Sequence, residues 1–447
     1  MEVVTAGLLF YLPWAHFPPP RWLRTVILNV PSWGAGNETG FSITPFLVPE
    51  AIVVMALFLA ALRVREFVPQ VRGGSGLRPL GIAAGLTLVG GLVSLVGSSY
   101  LGISMAGYSA RLTVFLLAVV IAWSGPRRSA VQLWVYAGIA GTCVMCLAGL
   151  YYFLTDVGLP NSLMALPNLR VGSSIVNYQK ATYGIAGNTA DLLVMTTPVC
   201  LALGLGRQTR VRARPFFLLA AFVMLANLLI SFERWAWICI GVSLVLIALF
   251  NRAQLRSWLV LLALFGAAIW GSASITGGLG DYFGQALDPG SASSLLSRSL
   301  DWQEGVAVLL DNPAGTGFGT AGTLSRLSDT SSHNLFIDIG IEGGLLALAG
   351  AIVWTVFHIQ LFVRVMTRAR PGEEWAFALL LGALIFVLFG IFFNSLLYFS
   401  GLMVWLAFWW LLPVMSRAFI EPPVDDPAHV VVREKRLAED ARALARG

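Results

Sequence analysis

This chain is short of charge. Only 12% of its 447 residues are Asp, Glu, Lys or Arg, whereas 57% are hydrophobic. A soluble globular protein carries about twice that charged share, roughly 25%. So few charges cannot clothe a water-soluble domain, and repeated apolar runs of about 20 residues give the alternative. The pattern predicts an all-α, polytopic helical integral membrane protein. Cysteine is scarce as well: Cys143, Cys146, Cys200 and Cys239 all lie inside apolar runs. That excludes a disulfide framework in the loops. Cys143-Val-Met-Cys146 has redox spacing, but no βαβ pattern surrounds it, and it reads as small packing residues within a span. Histidine is limited to His16, His333, His358 and His429. No His, Cys and carboxylates cluster at metal-ligand spacing, and no paired-Asp motif for a metal-bound sugar nucleotide is present. No metal and no cofactor are expected, so an enzyme here needs a donor already activated and already in the membrane. The net charge of +6 does not mark nucleic-acid binding, because the basic residues are spread over short loops.

About twelve spans are predicted from the apolar runs. They fall near 3–17, 44–62, 80–97, 109–124, 130–154, 189–206, 215–231, 235–250, 257–274, 335–364, 375–393 and 395–415. The start, MEVVTAGLLFYLPW, lacks a basic n-region and reads as a retained first span. The organisation is a transmembrane domain over 1–415, a large outer loop at 275–334 between spans 9 and 10 containing short helices, and a polar tail at 416–447. Most of the 29 Lys and Arg residues fall on one set of loops and on the tail. Eight fall on the opposite side: Arg21, Arg24, Arg111, Arg170, Lys180, Arg234, Arg298 and Arg326. The positive-inside rule then puts both termini in the cytoplasm and the loops at 155–188 and 275–334 outside. The outward basic residues need another explanation.

Residues 297–345 are the densest source of candidates. Leu296, Leu300, Ala307 and Leu310 recur at helical spacing, predicting a helix over 295–310 that Asp311-Asn312-Pro313 stops. Arg298 and Trp302 are four apart and can form a cation–π pair. Gly315, Gly317 and Gly319 lack the strand-to-helix context of a nucleotide site and predict a tight loop hugging the membrane domain. His333 is the histidine at the outer surface beside a polar-faced helix, able as a neutral imidazole to take a proton from a sugar hydroxyl; a hydrogen-bonded interfacial histidine is the competing reading. Asn334, Asp338 and Glu342 share one helix face. Such groups inside a span face a cavity or a partner, and Glu342 also reads as half of a structural pair. Gly340, Gly343 and Gly344 read as sites of close helix approach. Arg234, in SFERWAW at the outer end of a tight hairpin, and Arg298 are suited to a diphosphate, which a guanidinium fork binds bidentately; Glu233 is a rival partner for Arg234. In the loop at 155–188, Arg170 and Lys180 are candidates for an anionic headgroup or a sugar, set against an interfacial aromatic-belt reading.

The ordered pattern Arg298-x-x-x-Trp302, Asn312-Pro313-x-Gly315-x-Gly317-x-Gly319, His333-Asn334 and Glu342-x-Gly344 resembles the signature region of the O-antigen ligase and polymerase family of bacterial inner-membrane glycosyltransferases. SFERWAW resembles the family's Ser-Arg segment, with Phe232-Glu233 where small residues are usual, and GNTADLLVMTTPV at 187–199 is similar to its Gly-Asn helix start. The resemblance implies a metal-independent, inverting transfer of a glycan from undecaprenyl diphosphate, at the outer (periplasmic) face, to an acceptor hydroxyl. His333 would be the base or would orient the acceptor, and Arg234 and Arg298 would hold and stabilise the diphosphate. Asn334, Trp302, Arg170, Lys180, Asp338 and Glu342 would line the substrate site. The implied partners are the lipid-linked donor, the lipid A–core acceptor and membrane lipids. Polymerases of lipid-linked repeats are the nearest alternative, but they often carry a Gly eleven positions after each outer-loop Arg. Here Ala181 and Leu309 stand there, which favours ligation. A transporter of lipid-linked sugar would show internal repeats or paired broken helices, and no repeat is evident.

Overall fold

The computed structural model describes residues 6–7, 78–102, 104–105, 107–108, 112, 115, 128–155, 169–171, 174–176, 186–206, 209–231, 234–250, 255–275, 295–320, 332, 334–368, 374–392, 412–413, 415–416 and 418–420. The helices are α1 (Arg78–Gly97), α2 (Arg128–Thr155), α3 (Ala186–Leu205), α4 (Arg214–Ser231), α5 (Arg234–Phe250), α6 (Leu255–Ile275), α7 (Leu295–Asp311), α8 (Leu335–Arg368) and α9 (Glu374–Phe392). One small antiparallel hairpin, β1 (Leu169–Val171) with β2 (Ser174–Val176), precedes α3 and pairs Arg170 with Ile175. Among the described residues, four stretches are long and apolar enough to cross a membrane: Arg78–Val96, Arg128–Leu147, Val211–Leu228 and Leu335–Thr367. The protein is an integral membrane protein. The spans expected near 3–17, 44–62, 109–124 and 395–415, and the tail at 416–447, lie wholly or mostly outside the described residues.

Small residues decide how the helices meet. Ala83, Thr87, Gly90, Gly91 and Ser94 form the buried face of α1, while Ile82, Val89, Leu92, Val93 and Val96 are exposed, as lipid-facing residues should be. That small face lies on α8. A Cβ at Gly90 would sit 2.5 Å from the Gly343 carbonyl oxygen, and one at Gly350 would sit 2.5 Å from Thr87 Oγ1. Without side chains to separate them the backbones approach closely, the usual basis of helix association in lipid. Thr87 and Ser94 donate their hydroxyls to carbonyls of their own helix, at Ala83 (2.9 Å) and Gly91 (2.8 Å), so neither polar group is wasted in this contact.

The contacts also fix helix polarity. Gly90 meets Gly343 and Thr87 meets Gly350, so α1 and α8 are antiparallel. Gly382 meets Met195 and Gly206 meets Glu374, so α9 and α3 are antiparallel. Gly204 meets Leu218 at the turn between α3 and α4. The Trp237 indole N–H donates to the Leu228 carbonyl across the α4–α5 hairpin (3.2 Å). Asn227 Nδ2 reaches the Cys146 carbonyl (2.9 Å) and Tyr136 meets Phe217 (5.4 Å), which sets α2 parallel to α4. The starts of α3, α5 and α8 therefore share one end of the helix set with the ends of α1, α2 and α4. At the opposite end, Arg128 Nε donates to the Ala418 carbonyl (2.9 Å), and Trp375 stacks on Phe419 (5.3 Å). That end carries Arg210, Arg212 and Arg364, matching the sequence-based split of basic loops.

Candidate functional site

The polar groups converge on a break in α8. The apolar pattern of span 10 predicts one continuous helix, but Gly344 stands at φ 70° and ψ −172°, and two helices meet there at a kink. The expectation that Gly344 serves helix packing is therefore corrected. It supplies a backbone conformation confined essentially to glycine. A break in a span frees backbone groups that lipid cannot satisfy. Here the glycine run after α7 satisfies them. Thr316 N–H donates to the Ile341 carbonyl (2.8 Å), Gly317 N–H to the Glu342 carbonyl (2.9 Å), and Leu345 N–H to the Pro313 carbonyl (3.0 Å). The Thr316 hydroxyl adds a bond to the Ile341 oxygen (3.0 Å).

The loop thus hugs the helices, as its lack of nucleotide-site context predicts, and it does so at depth. The Phe318 ring is fully buried against Gly91 and stacks over Tyr108 (6.3 Å). Gly91 lies about 9 Å along the axis from the end of α1, at 1.5 Å per residue. Gly315 and Gly317, at φ 89° and 106°, turn the chain where any Cβ would strike Gly344 or Ser104. Ser98 and Ser104 share a 2.6 Å hydrogen bond beside Gly317. The loop is re-entrant, wedged between α1 and α8.

α7 delivers this loop. It ends at Asp311, one residue beyond the predicted stop, and the Asn312 N–H still reaches the Val308 carbonyl (3.0 Å). Gly305 packs on Ile337 and Ser332, and Gly340 receives Leu309, so α7 runs beside the first part of α8. Trp302 is half-buried one turn before Gly305.

α8 begins in a hydrogen-bonded ring. The Asn334 side chain caps the helix, Oδ1 accepting the Phe336 (3.0 Å) and Ile337 (3.2 Å) N–H groups. Asp338 is fully buried, and its Oδ1 accepts the Ser332 N–H (3.0 Å) and the Ser332 hydroxyl (2.6 Å). Asn334, Asp338 and Glu342 are all buried, on the shared face their spacing predicts. Ser332 was not among the sequence candidates. The signal was a hydroxyl residue just ahead of an Asn cap and an acidic residue in the first turn.

Arg234 is the first residue of α5, at the same end as the start of α8. Arg298 lies in the first turn of α7, beyond the Gly305–Ser332 contact, and Arg170 lies in β1, ahead of α3. The side chains of these three arginines, and Lys180 and His333 altogether, lie outside the described residues.

The class this arrangement defines is a polytopic membrane protein with a re-entrant glycine loop and buried carboxylates at one end of its helices. Residues 219–352 of the 447 match the family model described as O-antigen ligase, which supports a likeness to that family over this stretch. It is a family of glycosyltransferase-type enzymes of the ligase and polymerase kind, acting on lipid-linked glycans. The match runs from α4 past the kink in α8, so it contains Arg234, Arg298, Trp302, His333, Asn334, Asp338 and Glu342; Arg170 and Lys180 fall outside it. No curated protein matches the chain.

Proposed function

We propose that the protein transfers an O-antigen glycan from undecaprenyl diphosphate to a hydroxyl of the lipid A–core, at the periplasmic face of the bacterial inner membrane, with both termini in the cytoplasm. The supporting observation is the gathering, within the family-matched stretch, of the start of α5, α7 and the start of α8 at one end of the helices. Chain positions 234 and 298, with Ser332 and Asn334 ahead of α8, belong to that end, which supports the reading. His333 takes the proton from the acceptor hydroxyl, or orients that hydroxyl, as its oxygen attacks the anomeric carbon. The bond from that carbon to the diphosphate oxygen breaks on the opposite side, and configuration inverts. Arg234 and Arg298 balance the charge growing on the leaving diphosphate. Trp302, Arg170, Lys180 and Asn334 contribute to the surrounding sugar and headgroup contacts, with Glu342 and Asp338 behind them.

The discriminating experiment is a lipopolysaccharide gel from a deletion strain. A ligase predicts loss of long chains from the core while undecaprenyl-linked polymer accumulates, with the wild-type gene restoring the ladder. Core bearing a single repeat would instead identify a polymerase and overturn the proposed acceptor.

A further inference from the structure

α7 has three sides. Gly305 and Leu309 face α8, where Leu309 packs with Gly340 and Ile341. Asp301, Glu304 and Asp311 share a second side. Leu300, Gln303, Val306, Ala307 and Leu310 recur at three- and four-residue steps and form the third. Four of these five residues are apolar, yet this side is open: Leu300, Val306 and Leu310 are 49%, 42% and 71% exposed. Water is a poor neighbour for such a stripe.

The contacts with α8 give the depth of each turn. α1, at 20 residues, is about 30 Å long and matches the hydrocarbon core of a bilayer. Its Gly90 meets Gly343, so Gly343 lies about 10 Å inside the end of α1. Measured back along α8 from Gly343, Ile337 sits near that end and Gly340 about 6 Å inside it. Gly305 meets Ile337, Leu309 meets Gly340, and the Pro313 oxygen accepts the Leu345 N–H beyond Gly343. Val306 is thus level with the core boundary, Leu310 lies roughly 6–10 Å within it, and Leu300 stands in the headgroup layer. At the depth of Leu310, Leu345 and Leu346 of α8 are exposed too, as lipid-facing residues are. A second copy of the chain is a poor fit. A stripe about 15 Å long and one helix wide offers on the order of 150 Å², far below the roughly 800 Å² per partner of a stable interface.

We propose that the outward side of α7 is a membrane-docking surface whose partner is the phospholipid of the leaflet at this end: Val306 and Leu310 enter the acyl chains, and Leu300 rests among the headgroups. α7 is then held from two sides, by α8 and by lipid, and so is the re-entrant loop that leaves its end. The proposal depends on the membrane placement of α1 and α8, not on the transferase reading.

The test places p-benzoylphenylalanine, one position at a time, at Val306, Leu310, Asp311 and Val356 of the full-length protein, in proteoliposomes of radiolabelled phosphatidylethanolamine and phosphatidylglycerol. Val356 is exposed within the span of α8 and calibrates a lipid contact. After irradiation, lipid adduct at Leu310 is expected within about twofold of that at Val356 and at least about fivefold above that at Asp311, with Val306 in between. A chain-to-chain crosslink from Leu310 in place of lipid adduct would assign the face to a second copy and overturn the proposal. So would the absence of adduct at Leu310 where Val356 gives one. Leu310→Cys and Asp311→Cys supply a second reading without a bulky side chain. In nanodiscs, a charged, water-soluble maleimide should label Asp311→Cys at least about tenfold faster than Leu310→Cys, above the wild-type background. Equal rates for the two neighbours would sink the docking assignment.

Discussion

Replacing Arg234 by alanine is expected to slow glycan transfer on the order of 100- to 1,000-fold, the loss typical when a preorganised group that stabilises developing charge is removed. Arg234 opens α5, three positions after Ser231 closes α4. Its backbone is held there by the Trp237–Leu228 hydrogen bond across the hairpin. That is a rigid mount at the end of the helix set where α8 also begins. The hypothesis assigns Arg234 to the leaving diphosphate, so a lysine at this position should keep the charge but lose the two-pronged geometry and fall between wild type and alanine. Measured in nanodiscs with a fixed lipid-linked donor, the defect should appear in kcat more than in the KM for the lipid A–core acceptor. An Arg234→Ala enzyme with wild-type kcat would remove this residue from the mechanism.

The second large effect is structural. Gly344→Val should destabilise the protein by about 3–5 kcal/mol, the sum of backbone strain and overpacking. At φ 70° and ψ −172° a side chain is strained before it touches anything. A Cβ there would also lie 2.5 Å from the Ala314 carbonyl carbon and 2.6 Å from the Pro313 oxygen. The Pro313 oxygen accepts the Leu345 N–H, so it cannot retreat without breaking that bond. Gly81→Val is the matched control, because a Cβ at Gly81 meets nothing within 4 Å. Melting of the two variants in detergent should separate them clearly. Equal midpoints would show that the kink tolerates a side chain, contrary to its geometry.

Several features were legible in the sequence because local chemistry determines them. α7 was expected over 295–310 and spans Leu295–Asp311, since its apolar spacing and the Asn312-Pro313 stop are both short-range signals. α4 ends at Ser231 and α5 begins at Arg234, on either side of the place where the apolar pattern is briefly interrupted. The kink in α8 was not legible, because the span pattern resumes beyond Gly344 with Leu345 and Leu346 and glycine is common in spans. What ends the helix there is a set of donors and acceptors from 313–317, distant in sequence and invisible to periodicity. The link from Ser332 to Asp338 was missed for a related reason. A carboxylate on a helical face is readable from spacing, but the partner it turns towards is not.

The wedge of Phe318 against Gly91 also sets an order of events in synthesis. α1 leaves the ribosome with its small-residue face complete, whereas the ring that fills it and the Gly343–Gly350 segment that covers it come more than 200 residues later. At 5–20 residues per second, α1 resides in the bilayer for roughly 10–50 s with that face open. Chains arrested before residue 310 should accordingly leave a cysteine replacing Ser94, on the same buried face, open to thiol reagents, and chains released at full length should protect it. The last third of the polypeptide is therefore what closes the first described span, and a truncation there would leave an early helix without its partner.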